Sequence, residues 1–141
     1  MGRLHAFIGT AILLVVFAGT LPAETFVTAP SGLKYRDLKI GSGMDARLES
    51  TVTIHLVGWL QENGQLGREL YNSRKEKRPI SFVVGTDKVM KGWNAGVVGM
   101  RAGGTRVLII PPELGFGKKA IEDTIPPNAR MLFIIQLLEV E

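Results

Sequence analysis

Val89, Met90 and Trp93, gathered around Gly92 in the run Val89-Met90-Lys91-Gly92-Trp93, are the residues whose types and spacing could do chemistry. A glycine beside a tryptophan lets the backbone pass close beneath a large flat ring, which is one way to build the floor of a pocket. The run therefore predicts a tight glycine bend with an apolar wall. A second apolar, glycine-punctuated segment follows, Gly96-Val97-Val98-Gly99-Met100, and then a Gly103-Gly104 turn. No nucleophile and no set of metal ligands lies nearby, so the chemistry expected here is that of an apolar cavity. His55 stands alone, without a carboxylate or second histidine at ligand spacing, and reads as a sheet-packing residue. Glu113 reads as an exposed loop charge rather than a general acid.

The 141 residues suffice for one domain with a real core. Hydrophobic residues make up 45% and charged residues 21%, which excludes a disordered tail. Seventeen glycines and seven prolines predict many turns, hence short strands more than long helices. The absence of cysteine excludes disulfides, thiolate catalysis and zinc fingers together.

Residues 1–23 read as a signal peptide. Arg3 supplies a positive start, 6–19 is an apolar run of the expected length, and Leu21-Pro22-Ala23 offers a cleavage site that would leave Glu24 first. The competing reading is an uncleaved anchor over 4–21, which is only marginally long enough to span a membrane. The short run and the proline after it favour cleavage, and thus export to the periplasm. Membrane contact is expected only if the leader stays. His5 would leave with it. Residues 24–32 then form a short extension and 33–141 the domain.

Formal charge is +4, or +3 once Arg3 is removed. Much of it sits in Arg74-Lys75-Glu76-Lys77-Arg78, which reads as a solvated loop. No aromatic residues are interleaved with these charges, so a nucleic-acid partner is not expected.

The elements that must position the apolar residues are strands. Residues 33–40 alternate imperfectly and end at Gly41-Ser42-Gly43, predicting an edge-like strand. Residues 51–60 place Val52, Ile54, Leu56, Gly58 and Leu60 on one face and Thr51, Thr53, His55, Val57 and Trp59 on the other. Asn63-Gly64 marks a turn. Strands are expected over 80–84, 105–110 and 131–140, and only 89–100 leaves room for a short helix. The plan is α+β: several antiparallel strands and one short α-helix.

Taken in order, Tyr35-Arg36-Asp37-Leu38-Lys39-Ile40-Gly41-Ser42-Gly43, the strand at 52–58, Arg78-Pro79-Ile80-Ser81-Phe82, Val84-Gly85, 89–93, Gly117 and Ile125-Pro126-Pro127-Asn128-Ala129 resemble the FKBP-type peptidyl-prolyl isomerases. The resemblance covers 33–141. It implies a twisted antiparallel β-sheet wrapped around one short α-helix, with an apolar pocket between them. It also implies rotation about X-Pro amides, with proline-containing polypeptides as partners and no metal or cofactor. An X-Pro amide crosses between cis and trans over about 20 kcal/mol, in tens of seconds unaided. The amide is twisted and less polar at the barrier, so a dry apolar cavity penalises the planar ground states more. Carried over, the resemblance makes Trp93 the floor and Val89 and Met90 the wall, with the Met90 N–H bonding a substrate carbonyl. Ile80, Phe82, Ile125 and Phe133 would add apolar lining, although Phe82 and Phe133 fit a plain core role equally well.

The departures bear on the same pocket. Leu56 stands where the family carries a tyrosine, Leu70-Tyr71 stands for its Phe-Asp pair, and Phe116 stands for a second tyrosine. Each lost hydrogen bond is worth ~1 kcal/mol. Weak catalysis and weak macrolide binding follow. Two readings compete: an exported prolyl isomerase, slowed but active, or a non-catalytic module that holds a protein partner in the same groove or on the basic loop.

Overall fold

Strict alternation makes the central strand. In the computed structural model, which describes residues 26–141, β3 (Thr51–Glu62) buries Val52, Ile54, Leu56, Gly58 and Leu60 on one face, as the period of two requires. The leader read at 1–23, with His5, lies outside the described residues. Before β3 come β1 (Val27–Thr28), drawn from the stretch read as an extension, and β2 (Lys34–Lys39). After it come β4 (Gln65–Asn72), β5 (Ile80–Val83), the helix α1 (Lys91–Val97), β6 (Thr105–Ile110), a 3-10 turn at Pro112–Leu114 and β7 (Arg130–Val140).

All pairings are antiparallel, in the order β1-β2-β6-β7-β3-β4, with β5 beside the first four residues of β3 and β4 beside its far half. The hairpin between β3 and β4 turns at Asn63 (φ 52°) and Gly64 (φ 76°), both left-handed as a tight two-residue turn demands. Among the described residues the fold is thus α+β, a twisted antiparallel sheet around one short helix, as expected.

Two local readings are corrected. The segment at 33–40 is not an edge: β2 lies between β6 along its length and β1 at Lys34 and Tyr35. Strand β4 was not foreseen, because its pairing with β3 shifts register after Gly58 and again after Trp59, each time with an extra residue on β4, which breaks the alternation that would betray it.

The helix sits on the inner face because two of its residues have no side chain. A Cβ on Gly92 would lie 2.6 Å from Ile110 Cδ1, and one on Gly96 2.2 Å from Leu108 Cδ1. Gly92 therefore serves close packing in the first helical turn rather than the bend its neighbours suggested. Arg106 closes the far end of the helix. Its Nη1 donates to the carbonyls of Gly96 (3.0 Å) and Val98 (3.2 Å), and its Nε to Asp37 Oδ1 at 2.7 Å. Its guanidinium also lies 4.6 Å from the Tyr35 ring centroid, so one side chain joins β2, β6 and α1.

The main core includes Leu33, Ile54, Leu108, Ile110, Met131, Ile135 and Leu137. A smaller cluster on the outer face, Val107, Ile109 and Leu132, is covered by Phe26, Leu38, Trp59, Leu66 and Ile134. Among the described residues, no helix is long and apolar enough to cross a membrane.

Alanine at 96 would gain about 1 kcal/mol of helix propensity. Overpacking against Leu108 costs about 1–3 kcal/mol, so packing wins. Gly96→Ala is expected to lower the urea midpoint, and an unchanged or higher midpoint would refute the close-contact account.

Candidate active site

Between α1 and the sheet lies a cavity of about 510 Å³. Trp93 presents its ring from the first turn of α1, and the ring meets Phe133 of β7 edge to face, centroids 5.6 Å apart at 81°. Val89 and Met90 line the cavity from the turn before the helix. Asn94 holds that turn in place, its Oδ1 accepting from Gly85 N (2.8 Å) and its Nδ2 donating to Thr86 O (2.6 Å). Met90 gives its carbonyl to Trp93 and Asn94, while no acceptor among the described residues takes its N–H.

The opposite wall is a loop that pins itself. Gly115 and Phe116 follow the 3-10 turn, and Gly117 (φ 60°) donates to Pro112 O at 2.8 Å. Asn128 N returns to Gly117 O at 2.7 Å, closing the loop. Within it, Ile121 and Ile125 exchange two backbone bonds of 2.8 and 2.9 Å, which holds Ile125 against the cavity. Arg68 of β4 donates to the Thr124 carbonyl and ties the loop to the sheet.

Leu70, Tyr71 and Ile80 complete the wall. Tyr71 is 36% exposed and sits at the rim rather than filling the cavity. Of the residues singled out in the sequence, Leu56 and Phe82 do not line the cavity. Both are core, 3% and 6% exposed: Leu56 packs inward on β3 opposite Ile135, and Phe82 pairs with Val52. Phe133, by contrast, is both core and lining.

Sequence reasoning missed Lys88, Gly115, Thr124 and Met131. Met131 carried a usable signal, since it lies two residues before Phe133 and so on the same face of β7. The other three lie in loops, where no periodicity points to them. The lining contains no carboxylate, and Lys88 is its one charged residue. The buried Trp93 Nε1 has no acceptor, so the floor offers an unspent donor as well. Among the described residues, no group of three His, Cys, Asp or Glu side chains could hold a metal ion.

A family model described as FKBP-type peptidyl-prolyl cis-trans isomerase matches residues 43–138. The chain belongs to the FKBP-type peptidyl-prolyl cis-trans isomerase family. An FK506-binding protein of Neisseria meningitidis serogroup B is 37% identical over 109 residues, 77% of this chain and 96% of that protein. The chloroplastic peptidyl-prolyl cis-trans isomerase FKBP16-4 of Arabidopsis thaliana is 40% identical over 132 residues, 88% of this chain. The chain spans only 55% of that relative's length. Among solved structures, FkpA from Escherichia coli superposes with a TM-score of 0.74 at 31% identity, over 97% of this chain and 59% of that one. AtFKBP13 superposes at 0.72 and 33% identity, over 82% of this chain and 98% of that one. These FKBP neighbours share the sheet and helix that frame the cavity.

His55 lies apart from the cavity, on the outer face of β3. Its Nδ1 is 2.8 Å from the buried Ser73 hydroxyl, which also accepts the Leu56 N–H at 2.9 Å. Loss of hydration on burial, and then the charge of Arg74, hold the imidazole below the ordinary histidine value of 6.5. The neighbours across β7 and β6 on this face, Gln136 and Thr105, are uncharged. Below pH 6.5 the unfolded chain therefore binds a proton that the native state refuses. Stability owed to this histidine is complete above 6.5 and is lost as pH falls through the native value. Urea midpoints are expected to decline over that window, and His55→Asn to flatten the decline. Equal slopes in the two proteins would assign the effect elsewhere.

Proposed function

We propose that this chain is a peptidyl-prolyl cis-trans isomerase acting on X-Pro bonds of exported proteins, at a rate reduced by the loss of polar groups from its pocket. One observation carries the reading: an apolar cavity floored by Trp93, with the unpaired Met90 N–H at its wall. A proline ring on Trp93 would leave its preceding carbonyl near that donor. The apolar surroundings cannot solvate the planar amide as water does, so they favour the twisted, less polar form. No proton transfer is required. Val89, Phe116 and Ile125 hold the ring over the floor, and Leu70, Tyr71, Ile80 and Phe133 shape the groove around the flanking residues. Macrolide ligands would enter the same groove weakly.

The second reading, a non-catalytic module that uses the groove to hold a protein partner, is favoured by a specific feature: no carboxylate faces the cavity, and Phe116 brings a ring without a hydroxyl. Exchange NMR on short X-Pro peptides separates the two. The purified protein is expected to accelerate cis–trans exchange, Trp93→Ala to abolish the acceleration, and Phe116→Tyr to raise it by about five-fold, the worth of one ~1 kcal/mol hydrogen bond. A folded protein without effect on any residue type before the proline would leave the binding module.

Export rests on the leader at 1–23. N-terminal sequencing of the protein recovered from expressing cells is expected to begin at Glu24, whereas retention of residues 4–21 in the membrane fraction would make it an anchored enzyme.

A further inference from the structure

A second concavity, of about 260 Å³, lies on the outer face of the sheet, away from Trp93. His55, Asn72, Arg74, Thr105 and Gln136 supply its polar lining, beside Ile134 and Val57. The carbonyl oxygens of Asn72 and Gln136 are already engaged, and Arg74 has no acceptor. Asn72 Oδ1 accepts from the backbone N–H groups of Arg74 (3.0 Å) and Lys75 (3.3 Å), which leaves its amide hydrogens free. Gln136 Oε1 accepts from Arg74 Nη2, which leaves the Gln136 amide hydrogens free as well. The Ser73 hydroxyl lies 2.8 Å from His55 Nδ1 and donates to Leu56 O at 3.2 Å. His55 is thus held through Nδ1, and Nε2, the nitrogen not committed to Ser73, is a donor when the ring is the imidazolium.

Charge points the same way. The ion pairs among the described residues are Arg47–Asp45, Lys75–Glu69 and Arg106–Asp37, so Arg74 carries an unneutralised guanidinium. No carboxylate lines the concavity. The acidic neighbours are Glu139, opposite Thr53 on β7, Glu69, which is spent on Lys75, and Glu76 on the basic turn itself. Residues 74–78 carry four cations against that one carboxylate, so the turn stays net positive. A concavity with an unneutralised guanidinium, two free side-chain amides and no lining carboxylate holds more donors than it satisfies, and an oxyanion is the ligand that meets them.

We propose that the concavity formed by His55, Asn72, Arg74, Thr105 and Gln136 is an oxyanion site that takes a phosphate group. Arg74 supplies the fork, the two amides and the Thr105 hydroxyl supply neutral donors, and the His55 imidazolium supplies Nε2–H. A bound anion favours the imidazolium, so occupancy and protonation of His55 reinforce each other. The basic turn at 74–78 thereby acquires a ligand. The isomerase cavity, on the opposite face, is not involved.

The test is an NMR titration of the purified protein with sodium phosphate, and with sodium sulfate as an anion that does not titrate near neutral pH, each against sodium chloride at equal ionic strength. Saturable shifts are expected at the His55 ring and at the Asn72 and Gln136 side-chain amides, together with a rise in the His55 pKa. Arg74→Gln is expected to weaken binding by about ten-fold or more while leaving the melting curve unchanged, and Arg74→Lys, which keeps the charge without the fork, to recover part. A second arm uses vesicles of phosphatidylcholine with and without phosphatidic acid. Binding to the acidic vesicles that Arg74→Gln abolishes assigns the site to a lipid headgroup, and binding of inorganic phosphate alone assigns it to the free anion. Shifts that match those in chloride, or that survive Arg74→Gln unchanged, overturn the proposal.

Discussion

The close approach of a seven-residue helix to β6 governs the rest of the molecule. Gly92 and Gly96, four apart and so on one face of α1, leave space that Ile110 and Leu108 fill. So short a helix has little stability of its own, and packing must hold it. Arg106 supplies the other restraint, by taking up carbonyls at the end of α1 while pairing with Asp37 on β2. With both ends fixed, Trp93 has one place to go. It stands against Phe133, and its ring becomes the floor of the cavity.

The cavity is apolar but not soft. Its two walls, the turn before α1 and the loop after the 3-10 turn, are each locked by hydrogen bonds: the Asn94 side chain spans the first, and the backbone pairs Gly117–Asn128 and Ile121–Ile125 cross the second. Rigidity matters for rotation about an amide, because walls that relaxed around the planar ground state would stabilise it as much as the twisted form. Phe116 contributes its ring to the wall, and Tyr71 stays at the rim, so neither fills the cavity.

The sheet serves two environments at once. Inward-facing residues of β3, β6 and β7 build the core and the pocket, while their outward neighbours divide between an apolar patch around Val107, Ile109 and Leu132 and a polar hollow around His55. Ser73 joins the two sides. It is fully buried, receives the Leu56 N–H, and holds the His55 ring, so the turn after β4 is anchored to the centre of β3. The basic residues at 74–78 are presented from that anchor rather than from a free loop.

Alternation made much of this legible. β3, β6 and β7 could be read because each buries every second side chain or is buried on both faces, and the Asn63-Gly64 turn because few residues accept its backbone. β4 was not legible, since register shifts leave it no period, nor was the inner position of β2, which depends on a two-residue strand. Residue types along the chain sufficed for the apolar character of the cavity and for placing Val89, Met90 and Trp93 in its lining. They did not distinguish Phe133, which lines the cavity, from Phe82 and Leu56, which pack behind it. Nor did they join His55 to Arg74, nineteen positions away. Periodicity reports which face a side chain takes. Only the packing of the strands and the helix decides whether that face meets another side chain or an empty space, because that is set by contacts between residues far apart in the chain.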